Sequence, residues 1–148
     1  MPEKLLNDEI VSQIRKGFDQ LDEPVEILYF GSRDGCDYCE DTLLLVQEVT
    51  AISDKLSLKQ LDIETDAELA RQYNVDKTPG LVIAGRDGDQ TIDYGIRMAG
   101  IPAGHEFTSF IQDIVLVSSR DSGLDARTRQ YLGDLKQPVL LQVFVTPT

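Results

Sequence analysis

Apolar and polar positions along the chain alternate in segments whose period changes repeatedly between helical and extended. From about Asn7 to Gln20, the apolar residues Ile10, Val11, Ile14 and Phe18 fall on one face at helical spacing, which predicts a helix. Pro24 then opens an apolar run, Val25-Glu26-Ile27-Leu28-Tyr29-Phe30, which predicts a strand over roughly 25–31. Helical spacing returns over about 37–53, with Leu44, Val46 and Val49 among its apolar positions. Leu56-Ser57-Leu58-Lys59-Gln60-Leu61-Asp62-Ile63 alternates in type and predicts a second strand. A short helix is expected from about Ala67 to Tyr73, and Thr78-Pro79-Gly80 breaks the pattern. Leu81-Val82-Ile83-Ala84 and Thr91-Ile92-Asp93-Tyr94-Gly95-Ile96 then flank Gly85-Arg86-Asp87-Gly88-Asp89, a hairpin signal because Asp-Gly suits turns that need positive φ. A further amphipathic helix is expected over about 104–117, with Phe107, Phe110, Ile111, Ile114 and Val115 inward. This order predicts an α/β fold, a central mixed β-sheet flanked by helices on both faces.

The pattern then starts again. Leu124 to Leu135 reads as a helix, and Pro138-Val139-Leu140-Leu141-Gln142-Val143-Phe144-Val145 as a strand. Leu21-Asp22-Glu23-Pro24-Val25 and Leu135-Lys136-Gln137-Pro138-Val139 superpose at a shift of 114 residues, which also brings Phe30 over Phe144. Helix, Leu-x-x-Pro-Val and strand recur in the same order, so residues 1–118 are expected to form one unit and 119–148 the start of a second, cut short where its own loop would begin. The alternative is a C-terminal appendage that resembles the first strand by chance. A strand over 138–145 without the rest of its sheet would either dock on the first unit or pair through its edge with another chain, which leads to an expected homodimer.

Composition narrows the function. A hydrophobic fraction of 41% in 148 residues suffices for a packed core. The net charge of -12 argues against nucleic acid and against anionic membrane surfaces, both of which need clustered Lys and Arg. The N-terminus has no signal-peptide apolar core and no stretch is long enough to span a bilayer, so the expected location is cytoplasmic. In a reducing compartment a lone C-x-x-C is more often catalytic or metal-binding than a structural staple.

Both cysteines of the chain sit in one such motif, Cys36-Asp37-Tyr38-Cys39, between the first strand and the helix after it. That placement puts the first sulfur beside the free N–H groups of a helix N-terminus, which favour the thiolate that attacks disulfides. Positions three apart in a first helical turn lie on one face, within disulfide reach once side chains adjust. The alternative is half of a zinc site, for which the chain offers only His105 and carboxylates as further ligands. His105, the only histidine, has no nucleophile beside it in sequence and reads as a surface or capping residue. Asp62-Ile63-Glu64-Thr65-Asp66 and Asp87-Gly88-Asp89 lack the remaining positions of a calcium loop, and read as a strand end and a turn. No phosphate loop or dinucleotide fingerprint is present, so no flavin or nicotinamide cofactor is expected beyond the dithiol itself.

A C-x-x-C after a strand, an aromatic before the second Cys, and Thr78-Pro79 about forty residues later ahead of a hairpin together resemble the thioredoxin/glutaredoxin superfamily, over about 24–117. The motif is similar to the glutaredoxin C-P-Y-C with Asp37 in place of proline, and the thioredoxin Trp is absent. The duplicated pattern narrows the resemblance to the tandem, glutaredoxin-like protein disulfide oxidoreductases. The N-terminal disulfide domain of the alkyl hydroperoxide reductase flavoprotein is a relative whose first unit lacks the C-x-x-C, a departure that favours the oxidoreductases. The resemblance implies a thioredoxin-like fold, Cys36 as exposed nucleophile and Cys39 as buried resolving thiol. It also implies a cis Pro79 that presents the Thr78 backbone to an extended substrate, whereas the residues alone favour a trans bond. Tyr38 is either a flat contact for the incoming disulfide or a half-buried loop aromatic. The implied partners are a protein or small-molecule disulfide and an external electron donor of the thioredoxin-reductase kind. The competing class is a binding or electron-relay module, or a dithiol that bridges metal between two copies without turnover.

Two acidic features complete the expectations. Asp34, Asp37, Glu40 and Asp41 crowd the dithiol with Arg33 the only nearby base, which should disfavour the Cys36 thiolate and make the couple more reducing. Glu26 is the only acid in the first strand, where some thioredoxins bury a proton-relaying carboxylate. A solvated strand residue is the preferred reading for it.

Overall fold

The computed structural model describes residues 3–146. Its first helix, α1 (Asp8–Phe18), starts where the Asn7 side chain accepts from the Ile10 N–H, with Asp8 and Glu9 in the first turn and Arg15 and Lys16 in the last. That charge order complements the helix dipole. The strand β1 (Val25–Gly31) is buried at all seven positions, as a continuous apolar run in a central strand should be. It pairs parallel with β2 (Leu56–Asp62) on one side and antiparallel with β3 (Gly80–Asp87) on the other. The short strands β4 (Gln90–Ile92) and β5 (Arg97–Ala99) both pair antiparallel with β3, closing a five-stranded mixed sheet.

The hairpin forms at Asp87-Gly88-Asp89, with Gly88 at φ 58°. The single strand expected over 91–96 is interrupted. Four residues, 93–96, face two, 83 and 84, because the Asp93 carboxylate accepts from the Gly95 N–H and Gly95 adopts φ 83°. The strand therefore bulges out and resumes as β5.

Alternation along β1 and β3 feeds two cores. Val25, Ile27, Tyr29, Leu81 and Ile83 face α1, α2 (Cys39–Thr50) and α4 (His105–Ser119), where they meet Phe18, Val46, Val49, Phe110 and Ile114. Leu28, Phe30, Val82 and Ala84 face α3 (Ala67–Gln72), packing with Leu61, Ala70 and Tyr73. Helices thus cover both faces, as the element order requires.

Past α4 the packing stops. Arg120 ends that helix in a left-handed conformation, and its guanidinium donates to the carbonyls of Val117, Pro24 and Arg86. It lies over Gly85, where a Cβ would meet it within 3 Å. The helix α5 (Ala126–Gly133) forms where expected, capped by Asp125, but buries no residue. The strand expected over 138–145 is not formed. Its apolar side chains are exposed, and among the described residues it pairs with no strand of the sheet.

Candidate functional site

The site is built at one end of β1. After Gly31 the chain turns through a loop in which the Ser32 hydroxyl donates to the Asp34 carbonyl and Gly35 adopts φ 66°. The helix α2 begins at Cys39 with Tyr38 as its N-cap, and no side chain caps the free N–H groups. Cys36 therefore stands just ahead of the helix, outside it as the expected span of about 37–53 implies, and only Cys39 belongs to its first turn. The two are joined as a disulfide with their Cα atoms 5.5 Å apart. Cys36 is half-buried, whereas Cys39 is 4% exposed. Tyr38 projects between them at 58% exposure, and its carbonyl accepts from the Thr42 hydroxyl at 2.6 Å.

Thr78–Pro79 is a cis peptide bond, with Thr78 half-buried and Pro79 buried. Phe30 is registered against Gly80, so Pro79 lies one residue beyond the pairing, at the edge from which the dithiol loop departs. The Pro79 carbonyl accepts from the Gly100 N–H, which ties β5 to the same end. Gly80 has no room for a side chain, since a Cβ would meet Val75 Cγ1 and the Lys77 carbonyl within 3 Å. The loop that carries Cys36, Tyr38 and Cys39 and the distant Thr78–Pro79 are thus placed at the same end, or rim, of the sheet.

Asp34, Asp37, Glu40 and Asp41 are all exposed around that rim, where water and salt screen their charge. The Asp62 carboxyl at the end of β2 is held below the usual carboxylate range, first by the N–H groups of Thr65 and Glu64. His105 is exposed at the start of α4. Among the described residues no three His, Cys, Asp or Glu side chains gather as a metal site.

Glu26 corrects the sequence reading. It is 3% exposed rather than solvated, and its carboxylate takes Arg86 Nη1 on one oxygen and the Thr91 hydroxyl on the other, both at 2.6 Å. It lies five residues before Gly31, roughly 17 Å along the strand from the point where the dithiol loop departs. Its work is to satisfy Arg86 and Thr91 beside β3. Tyr29 is a site residue that the sequence reading does not single out. It is buried on the α2 side of β1, and its hydroxyl donates to the Cys39 carbonyl at 2.8 Å. The only signal in the sequence is a tyrosine within an otherwise aliphatic run.

The same architecture occurs in solved structures. A protein disulfide oxidoreductase from Aeropyrum pernix matches with TM-score 0.75 and 29% identity, over 88% of this chain and 55% of that one. The alkylhydroperoxide reductase AhpF from Enterococcus faecalis matches in fold with TM-score 0.77 at 22% identity, over 88% of this chain and 61% of that one. This is a thioredoxin-like protein. No protein-family model matches the sequence. Among curated relatives, the AhpF component of alkyl hydroperoxide reductase from Pseudomonas aeruginosa is 32% identical over 123 residues, 82% of this chain. The thioredoxin-like chain spans about a fifth of the length of that relative. Both branches named from the motif are thus represented, and the domain is a thioredoxin-like one that carries a C-x-x-C disulfide.

Proposed function

We propose that this chain is a thiol–disulfide oxidoreductase unit acting through Cys36 and Cys39. The observation that carries the reading is the unequal burial of the two bonded cysteines at the start of α2. In the reduced pair, the reachable Cys36 thiolate attacks a substrate disulfide and expels one thiolate, leaving a mixed disulfide. Cys39 then attacks the Cys36 sulfur, expels the second substrate thiolate and re-forms the bridge. Tyr38 offers its exposed ring to the substrate, and Thr78 with Pro79 offers backbone beside the dithiol. No cofactor beyond the dithiol takes part in this scheme. Electrons return from an external reductase-type donor, and the working location is the cytoplasm; among the described residues no helix is long and apolar enough to cross a membrane. Residues 119–148 are read as the beginning of a second such unit, in keeping with α5 and with the oxidoreductase chain of which only 55% is matched. The segment 138–145, exposed and outside the sheet here, is read as forming its strand on pairing with a second copy in a homodimer.

The test is turnover. With dithiothreitol as reductant the chain is expected to accelerate insulin reduction, and Cys36→Ser to lower the rate at least about a hundredfold, since the remaining thiol is buried. Stoichiometric zinc with no turnover would instead establish the metal-bridging alternative.

A second reading is favoured by the 32% identity to the Pseudomonas aeruginosa alkyl hydroperoxide reductase component. Here the dithiol is an electron relay, reduced by a reductase-type domain and oxidised by a dedicated partner. A relay stays slow with dithiothreitol and insulin and becomes fast only when such a domain is supplied.

A further inference from the structure

A tyrosine hydroxyl braces the dithiol turn from beneath. Tyr29 reaches the Cys39 carbonyl at 2.8 Å by leaning forward along its own strand over Gly31. A Cβ on Gly31 would stand within 3 Å of Tyr29 Oη, Cε1 and Cζ. Gly31 is not among the glycines at positive φ, so space for the ring, not backbone angle, is what demands glycine there. Gly31 is itself held, because it is registered against Asp62 and its carbonyl accepts from the Ile63 N–H at 2.9 Å. The strand end, the ring and the first residue of α2 therefore form a closed brace. Burial, then the charges of Asp62 and Glu40, push the phenol above its usual pKa, so it stays a protonated donor through neutral pH.

The brace acts at the first turn of the helix, beside the bond from the Thr42 hydroxyl to the Tyr38 carbonyl. Tyr38 supplies no side-chain cap, and Cys39 is the first helical residue. When the bridge is open, the position of the Cys39 sulfur depends on how firmly that backbone is held. We propose that Tyr29 is a positioning residue for the resolving step, keeping Cys39 within reach of Cys36; this rests on the oxidoreductase reading above. In that step the Cys39 thiol gives its proton to solvent, and its thiolate forms a bond to the Cys36 sulfur. The bond from Cys36 to the substrate sulfur breaks, and the electron pair leaves with the substrate thiolate. Two electrons have then passed from the dithiol to the substrate disulfide. Holding the attacking sulfur near its target raises its effective concentration, which speeds the step and stabilises the bridge over two free thiols.

The test uses the reduced full chain and a symmetrical nitroaryl disulfide that releases one coloured thiolate when Cys36 attacks and a second when Cys39 resolves. Tyr29→Phe is expected to slow the second release about tenfold relative to the first. The matching tenfold loss in bridge stability corresponds to a reduction potential about 30 mV less negative in glutathione buffers. Gly31→Ala, which displaces the ring, is expected to give the same two changes, and the double variant to be no worse than either single one. A purely structural hydroxyl would lower the melting temperature and leave both readouts alone, and that result overturns the inference. Should Tyr29→Phe not fold, Gly31→Ala decides by the same two readouts. A wild-type chain that releases no second equivalent overturns the oxidoreductase reading, and the inference falls with it.

Discussion

The segments that begin at Pro24 and Pro138 have nearly the same pattern and opposite fates. Val25, Ile27 and Phe30 in the first are fully buried. Their counterparts 114 residues later, Val139, Leu141 and Phe144, are 63%, 86% and 88% exposed. The first segment has β2 and β3 on its two edges and helices against both faces. The second follows α5, which buries nothing, and pairs with no strand of the sheet. A Leu-x-x-Pro-Val run followed by apolar residues is thus a capacity for a strand. Backbone groups become a strand only when neighbouring strands supply donors and acceptors.

The comparison can be broken by truncating each segment in turn. Phe30→Ala should destabilise the cooperative unit by about 3–5 kcal/mol in urea unfolding, from lost burial and the cavity left behind. Phe144→Ala should change it by no more than about 0.5 kcal/mol, as at an unpacked surface position. Equal losses would mean that the second segment packs in solution.

A smaller effect separates the polar positions of the same pair. Glu26→Gln should cost about 1–3 kcal/mol, because Arg86 loses its charged partner while part of its side chain stays in water. Leu140→Gln, at the matching position, should again fall within about 0.5 kcal/mol in the same measurement.

The smallest effect concerns acid. Asp93 is held below the ordinary carboxyl value of 3.8, first by its hydrogen bonds from Arg97. Its folded-state pKa is depressed, so its stabilisation is present above 3.8 and is lost as pH falls through the lower folded value. Asp93→Asn should therefore remove at most about 0.5 kcal/mol at neutral pH, screened as this ion pair is, and flatten the acid limb below about pH 4. Asp121, lowered first by the Gly123 N–H, belongs to the unpacked arm with Arg129. Asp121→Asn should leave the acid limb of the cooperative transition unchanged in pH-dependent urea titrations.

Legibility along the sequence tracks how local the cause is. The helical faces of Ile14 and Phe18, the Asp87-Gly88-Asp89 turn and the Cys36–Cys39 pair are readable because neighbours in sequence decide them. The break between β4 and β5 escapes such a reading, although Asp93 and Gly95 carry it, because an alternating apolar pattern masks a short turn. Glu26 reads wrongly as solvated because its partners, Arg86 and Thr91, arrive only when β3 and β4 fold alongside. Tyr29 stays hidden because its hydroxyl finds Cys39 ten residues later, through a gap that only Gly31 leaves open.

Order of elements, placement of the sulfurs and the polar character of the rim were settled by residue type and spacing, for periodicity and turn chemistry act over a few residues. The assembled site was settled by pairing. The register of Phe30 on Gly80 brings Pro79 to the end of β1 where the dithiol loop starts, and the later apolar segment joins no strand of that sheet. Hydrogen-bond partners and buried area are properties of neighbours in space, and a linear pattern does not specify which neighbours arrive.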